Sequence, residues 1–83
     1  MTSTFDLGSL TLGDVAEVVR IEGADPLAQR LEACGFWPGT AVTAVRRAPL
    51  GGPIEFQLRG FRLALRPSEA ARVQVRTAGG DAS

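Results

Sequence analysis

The chain has 83 residues, enough for one small domain, with nine arginines balancing nine acids and no lysine, histidine or tyrosine. The missing lysine excludes a Walker A loop, and the missing histidine removes the usual general base and the commonest transition-metal ligand. The single Cys34 excludes an internal disulfide and is read as a small buried hydrophobe, and no apolar run approaches the ~18 residues of a membrane span.

The first residues, MTSTFDLGSL, lack a basic segment followed by a long apolar core, so they do not read as a signal peptide and a cytoplasmic location is expected. Residues 1–7 and 77–83 are expected to be loose tails around one domain at 8–76. Val15–Ile21, rich in β-branched residues, is a first strand. Its parity slips, because Ala16 and Val18 share one face while Val19 and Ile21 share the other, and a β-bulge would reconcile them.

Gly23–Ala24 breaks that strand. Asp25 followed by Pro26 is a helix start: the carboxylate accepts from free first-turn amides, and proline at the first helical position forfeits no hydrogen bond. The helix, about 25–34, places Leu27, Leu31 and Cys34 on one face. It stops at Gly35, where a left-handed residue is easy for glycine, and Phe36 is placed to fold back on Leu31. Trp37-Pro38-Gly39-Thr40 has the composition of a type II turn.

A second strand covers Ala41–Ala48. Pro49-Leu50-Gly51-Gly52-Pro53 is a loop bracketed by prolines. Ile54–Leu58 alternates cleanly, Arg59-Gly60 is a tight hairpin turn, and Phe61–Leu65 returns with Phe61, Leu63 and Leu65 on one face. A helical or 3-10 turn at about 67–71 and a last strand at Val73–Val75 close the chain. The fold class is therefore mainly β: a five-stranded, partly open barrel with one short inserted helix, closure being the economical way to hide strand edges in so short a chain.

Charge is uneven. Residues 1–36 hold six acids against two arginines, and residues 46–66 hold five arginines against Glu55. These are either the solvent faces of alternating strands or a surface for an anionic partner, and pairing of the two halves between copies would give weak self-association.

The ordered motifs Leu12-Gly13-Asp14, Arg30-Leu31 through Gly35-Phe36-Trp37-Pro38-Gly39-Thr40, Ala48-Pro49-Leu50-Gly51-Gly52-Pro53, and Leu63-Ala64-Leu65-Arg66 with Glu69-Ala70 before Val73 resemble the FeoA domain family over about residues 8–76. The resemblance implies an SH3-like barrel and a role as an accessory or regulatory protein of ferrous iron transport. The implied partner is a FeoB-type membrane transporter, which carries a cytosolic GTP-binding domain. The same domain also ends some metal-dependent transcription regulators, which stays open as an alternative. Many relatives carry an acid where this chain has Gly52, which weakens any metal role for that loop. No resident cofactor, metal ligand or small-molecule substrate is expected. Association with Fe²⁺ follows from the resemblance alone.

Candidate partner contacts are Leu50, Gly51 and Gly52 in the proline-bracketed loop, with Phe36 and Trp37 after the helix. Each hydrophobe has a structural alternative: Leu50 packing on the barrel mouth, Phe36 as the helix staple, and Trp37 as a core lid with its indole N–H on a nearby carbonyl. The second candidate surface is the arginine face, Arg46, Arg59, Arg62 and Arg66, for phosphates of a nucleic acid or another anionic partner. Scarce aromatics and overall neutrality weigh against nucleic acid. An enzyme is not expected, since Ser68 has no histidine to activate it.

Overall fold

The computed structural model describes residues 3–78. The elements follow the order β1 (Phe5–Asp6), a 3-10 turn at Leu7–Ser9, β2 (Val15–Ile21), α1 (Pro26–Ala33), β3 (Ala41–Arg47), β4 (Ile54–Leu58), β5 (Phe61–Leu65), α2 (Pro67–Ala70) and β6 (Val73–Thr77). All strand pairs are antiparallel in one six-stranded sheet, ordered β1-β6-β2-β3-β4-β5. Among the described residues β1 and β5 are the edges, so the barrel is partly open.

The strand beyond the expected five is β1. Phe5 and Asp6 pair with Val75 and Gln74 of β6, and Leu7 is completely buried. The expectation of a loose tail over 1–7 is therefore corrected at 5–7, because the apolar Phe5 and Leu7 have a core to join. Thr77 likewise belongs to β6. Residues 1–2 and 79–83 of the expected tails lie outside the described residues.

The parity slip in β2 is resolved as expected: the register against β6 shifts between Val18 and Arg20. A second shift, in β3 between Ala44 and Arg46, stands Arg46 opposite Glu55. Asp25 caps α1 through a bond from the Ala28 N–H to its Oδ1 at 3.2 Å. The helix rests on Leu31 and Ala28, while Leu27 and Cys34 are only half-buried, so its docking line is turned toward the 28/31 pair. Phe61, expected to face inward, is largely exposed at the start of the edge strand β5, which has a neighbour on one side only.

The end of α1 is a Schellman motif. Gly35 has φ +106°, its N–H reaches the Glu32 carbonyl at 3.0 Å, and the Phe36 N–H reaches the Leu31 carbonyl at 3.3 Å. Any Cβ at position 35 would stand 3.0 Å from the Arg59 Cδ. Phe36, 1% exposed, then joins Leu31 in the core with Val18, Val42, Phe56 and Leu58. At the other end of α1, Arg72 of the turn before β6 donates from Nε to the Glu22 carbonyl at 2.9 Å and from Nη2 to the Asp25 carboxylate. That guanidinium fills the space where a Cβ on Gly23 would point. It holds the β2–α1 connection against the closing strand.

Candidate functional site

β3 and β4 carry the candidate residues to opposite poles of the barrel. Val42 pairs with Leu58 at one end of this ladder and Arg47 with Ile54 at the other. Five strand steps put those ends roughly 15–20 Å apart. Trp37 precedes the first end and Leu50 follows the second, so the two groups of candidate contacts, Phe36 with Trp37 and Leu50 with Gly51 and Gly52, lie apart.

At the first pole Trp37 is 44% exposed. Its indole Nε1 donates to the Glu32 carbonyl at 2.7 Å, and the Arg59 guanidinium lies 4.3 Å from its ring centroid. The carbonyl bond is the one expected of a core lid, but the ring is outside the core. It is fixed on one side by a helix-end carbonyl and on one face by a cation. A groove of about 370 Å³ runs beside it between α1 and β2, floored by Ile21, Ala28 and Phe36. Phe36 itself offers almost no surface, which corrects its place among the contact candidates: it is the apolar closure of the Schellman motif.

At the second pole the β3–β4 connection is fully ordered by its own hydrogen bonds. The Ala48 N–H donates to the Pro53 carbonyl at 2.9 Å, and the Gly52 N–H donates to the Pro49 carbonyl at 3.2 Å. Leu50 has φ +61° and Gly51 φ +72°, so Pro49–Gly52 is a turn with both central residues left-handed, the type I′ pattern. Gly52 is explained by closeness, since a Cβ there would lie 2.8 Å from the Ala48 Cβ. Leu50 is 103% exposed: it does not pack on the barrel mouth but stands off the tip of the loop. A leucine in left-handed geometry costs conformational energy, and this one recovers none by burial.

The arginine face divides. Arg46 and Arg62 flank one carboxylate, Glu55, at 3.5 and 3.6 Å, and the Arg62 Nε also donates to the Gln57 Oε1 at 3.2 Å. Arg59 is engaged with Trp37 at the first pole. Arg66 stands at the start of α2, where its backbone N–H donates to the Glu69 Oε1 at 2.8 Å. Arg47, which was not singled out in the sequence, donates to the Gly8 and Leu10 carbonyls at 3.2 and 3.5 Å and ties the 3-10 turn to β3. Residues 1–36 find ion-pair partners near the end of the chain, outside the arginine-rich 46–66 segment. Glu17 pairs with Arg76 at 2.9 Å, Asp25 with Arg72, and Arg30 with Glu69 at 3.0 Å.

Among the described residues no three of Cys, Asp and Glu gather closely enough to hold a metal ion. With no imidazole in the chain, the donor set does not fit a resident iron site. The Asp25 carboxyl is held below its ordinary value first by the hydrogen bond from Arg72 and then by the Ala28 N–H. Both partners are structural, so the shift marks a helix cap and not a reactive group.

The model of the FeoA domain family matches residues 5–77. The chain belongs to the FeoA domain family. The match starts at β1, in agreement with the corrected boundary. The FeoA-like protein of Clostridium acetobutylicum superposes with a TM-score of 0.87 at 28% identity, over 100% of this chain and 96% of that one. The FeoA of Stenotrophomonas maltophilia, solved with zinc and described as an SH3 domain protein, superposes with a TM-score of 0.75 at 38% identity, over 90% and 88% of the two chains. The FeoA barrel described above is thus SH3-like. A fusion of Fe(2+) transport protein A with the Fe(2+) transporter FeoB in Porphyromonas gingivalis is 35% identical over 69 residues. That stretch is 83% of this chain and only 8% of the fusion protein's length. No helix among the described residues of this FeoA-family chain is long and apolar enough to cross a membrane.

Proposed function

We propose that this chain is a cytoplasmic accessory subunit of ferrous iron transport that binds the cytosolic, GTP-binding part of a FeoB-type transporter and modulates it. The observation that carries this reading is the Porphyromonas gingivalis protein, in which a FeoA relative of 35% identity shares one polypeptide with the transporter. Fusion keeps two modules at an effective concentration of roughly millimolar with short flexible linkers, which is useful only if they act on each other. In this reading Fe²⁺ is the transporter's cargo, no cofactor resides in the barrel, and the domain works by contact and not by catalysis.

The test is a titration of the ¹⁵N-labelled full chain with the cytosolic region of the FeoB-type transporter from the same organism, with and without a GTP analogue and Fe²⁺. Saturable chemical-shift changes are expected. Spectra that stay unchanged at near-millimolar partner would refute the proposal.

A further inference from the structure

Leu50 is the residue among those described that combines a left-handed backbone with a fully exposed apolar side chain. A folded chain gains by burying leucine and by giving left-handed positions to glycine or asparagine. Position 50 does neither: its side chain is 103% exposed and its φ is +61°. The neighbouring left-handed position is occupied by Gly51, as turn chemistry dictates. The loop is not loose, because the 2.9 Å and 3.2 Å bonds across Ala48–Pro53 and Pro49–Gly52 fix it, and prolines bracket it. An apolar side chain is thus held out on a rigid point. Rigid presentation is the arrangement that loses least conformational freedom on docking.

The charges around this pole describe what it fits. Arg46, Arg47 and Arg66 end or follow the strands that converge on the loop, as the pairing of Arg47 with Ile54 and of Ile54 with Leu65 shows. Glu55 is the one carboxylate on the outer face of this ladder, and it is shared between Arg46 and Arg62. Glu69 lies at Arg66 and is paired with Arg30, so the four guanidinium groups of Arg46, Arg47, Arg62 and Arg66 still outnumber the two carboxylates beside them.

We propose that the Pro49–Pro53 loop is the docking element of the domain. In it Leu50 enters an apolar socket, about one leucine wide and rimmed by carboxylates, on a protein partner. This rests on the reading above that the partner is the FeoB-type transporter, and it assigns the contact to the second pole and away from Trp37. The socket supplies the burial that Leu50 lacks in the free domain. The acidic rim meets Arg46 and Arg66, which orients the approach.

The test measures binding of the full chain to the cytosolic region of the same organism's transporter, for wild type, Leu50→Asn, Arg46→Glu and a distant control, Gln29→Ala on α1. Leu50→Asn keeps the left-handed turn, so circular dichroism and the amide spectrum are expected to stay native. Binding is expected to weaken about ten- to a hundredfold, the worth of one buried leucine. Arg46→Glu is expected to weaken binding and reduce its salt dependence, and Gln29→Ala to bind as wild type. If wild type binds and Leu50→Asn binds equally well, the docking element is elsewhere while the transporter reading stands. If wild type does not bind the transporter, that reading falls and this assignment falls with it. A parallel arm uses vesicles of phosphatidylglycerol and phosphatidylethanolamine. Leu50-dependent binding to them, without Leu50-dependent binding to the transporter, would overturn the protein socket in favour of lipid.

Discussion

Replacing Leu50 by asparagine removes an apolar side chain and is expected to make the domain more stable. Left-handed geometry costs an ordinary L-residue about 1–2 kcal/mol, and asparagine is among the few side chains that enter it readily. Asn-Gly is also the preferred pair at the centre of a type I′ turn, and Gly51 is already in place. Leucine contributes no burial here to set against this, being 103% exposed. Unlike a change to glycine, asparagine adds little freedom to the unfolded chain. The net gain is expected at about 0.5–1 kcal/mol. A domain of this size moves by about 4–8 °C per kcal/mol, so the melting midpoint should rise by about 2–8 °C. Urea unfolding with unchanged slope, paired with calorimetry, measures it. Leu50→Val supplies the opposite sign, because a β-branched side chain fits the left-handed region worse. The reasoning is refuted if Leu50→Asn melts at or below wild type, or if Leu50→Val is as stable as wild type. Either result would mean that the loop relaxes and stores no strain.

Two further outcomes follow from the packing and from the helix cap. Phe36→Ala should cost about 3–5 kcal/mol in chemical unfolding, as for other buried aromatics, and a loss under ~1.5 kcal/mol would show that the ring is not packed as described. The Asp25 carboxyl should titrate below the ordinary aspartate value in carboxyl-detected NMR, and Arg72→Gln should move it back up. Because the folded value is lowered, the stabilisation is complete above the unfolded value of about 3.9 and is lost as pH falls through the lower folded one. The stability gap between wild type and Arg72→Gln should therefore be flat above about pH 5 and narrow below about pH 4, and a gap that widened on acidification would contradict the pairing.

The parts of this fold that were legible in the sequence are those governed by backbone chemistry within a few residues. Asp25-Pro26, Gly35-Phe36 and Trp37–Thr40 each specify a cap, a stop or a turn locally, and all three form as expected. The slipped parity of Val15–Ile21 announced its bulge. What was not legible depends on pairing register and on distant partners. Two residues of β1 carry too little pattern to read as a strand, and only Val75 and Gln74 make them one. The distance between Trp37 and Leu50 was not legible because nothing local tells that β3 separates them. The ion pairs of Glu17, Asp25 and Arg30 were not legible because their partners lie 39 to 59 residues away. The outward Leu50 was a loop residue of two possible fates until its φ and its exposure were known.

Trp37 is the chain's single tryptophan, and its indole N–H is bonded to a carbonyl at the end of α1. The domain therefore contains one indole fluorophore, wired to the only helix of more than one turn among the described residues. An event that lifts α1 from the barrel either breaks that bond or carries the ring away from Arg59, and either change alters the emission of a single, unambiguous chromophore. The fold thus comes with an intrinsic optical gauge of its own helix, readable without label or mutation.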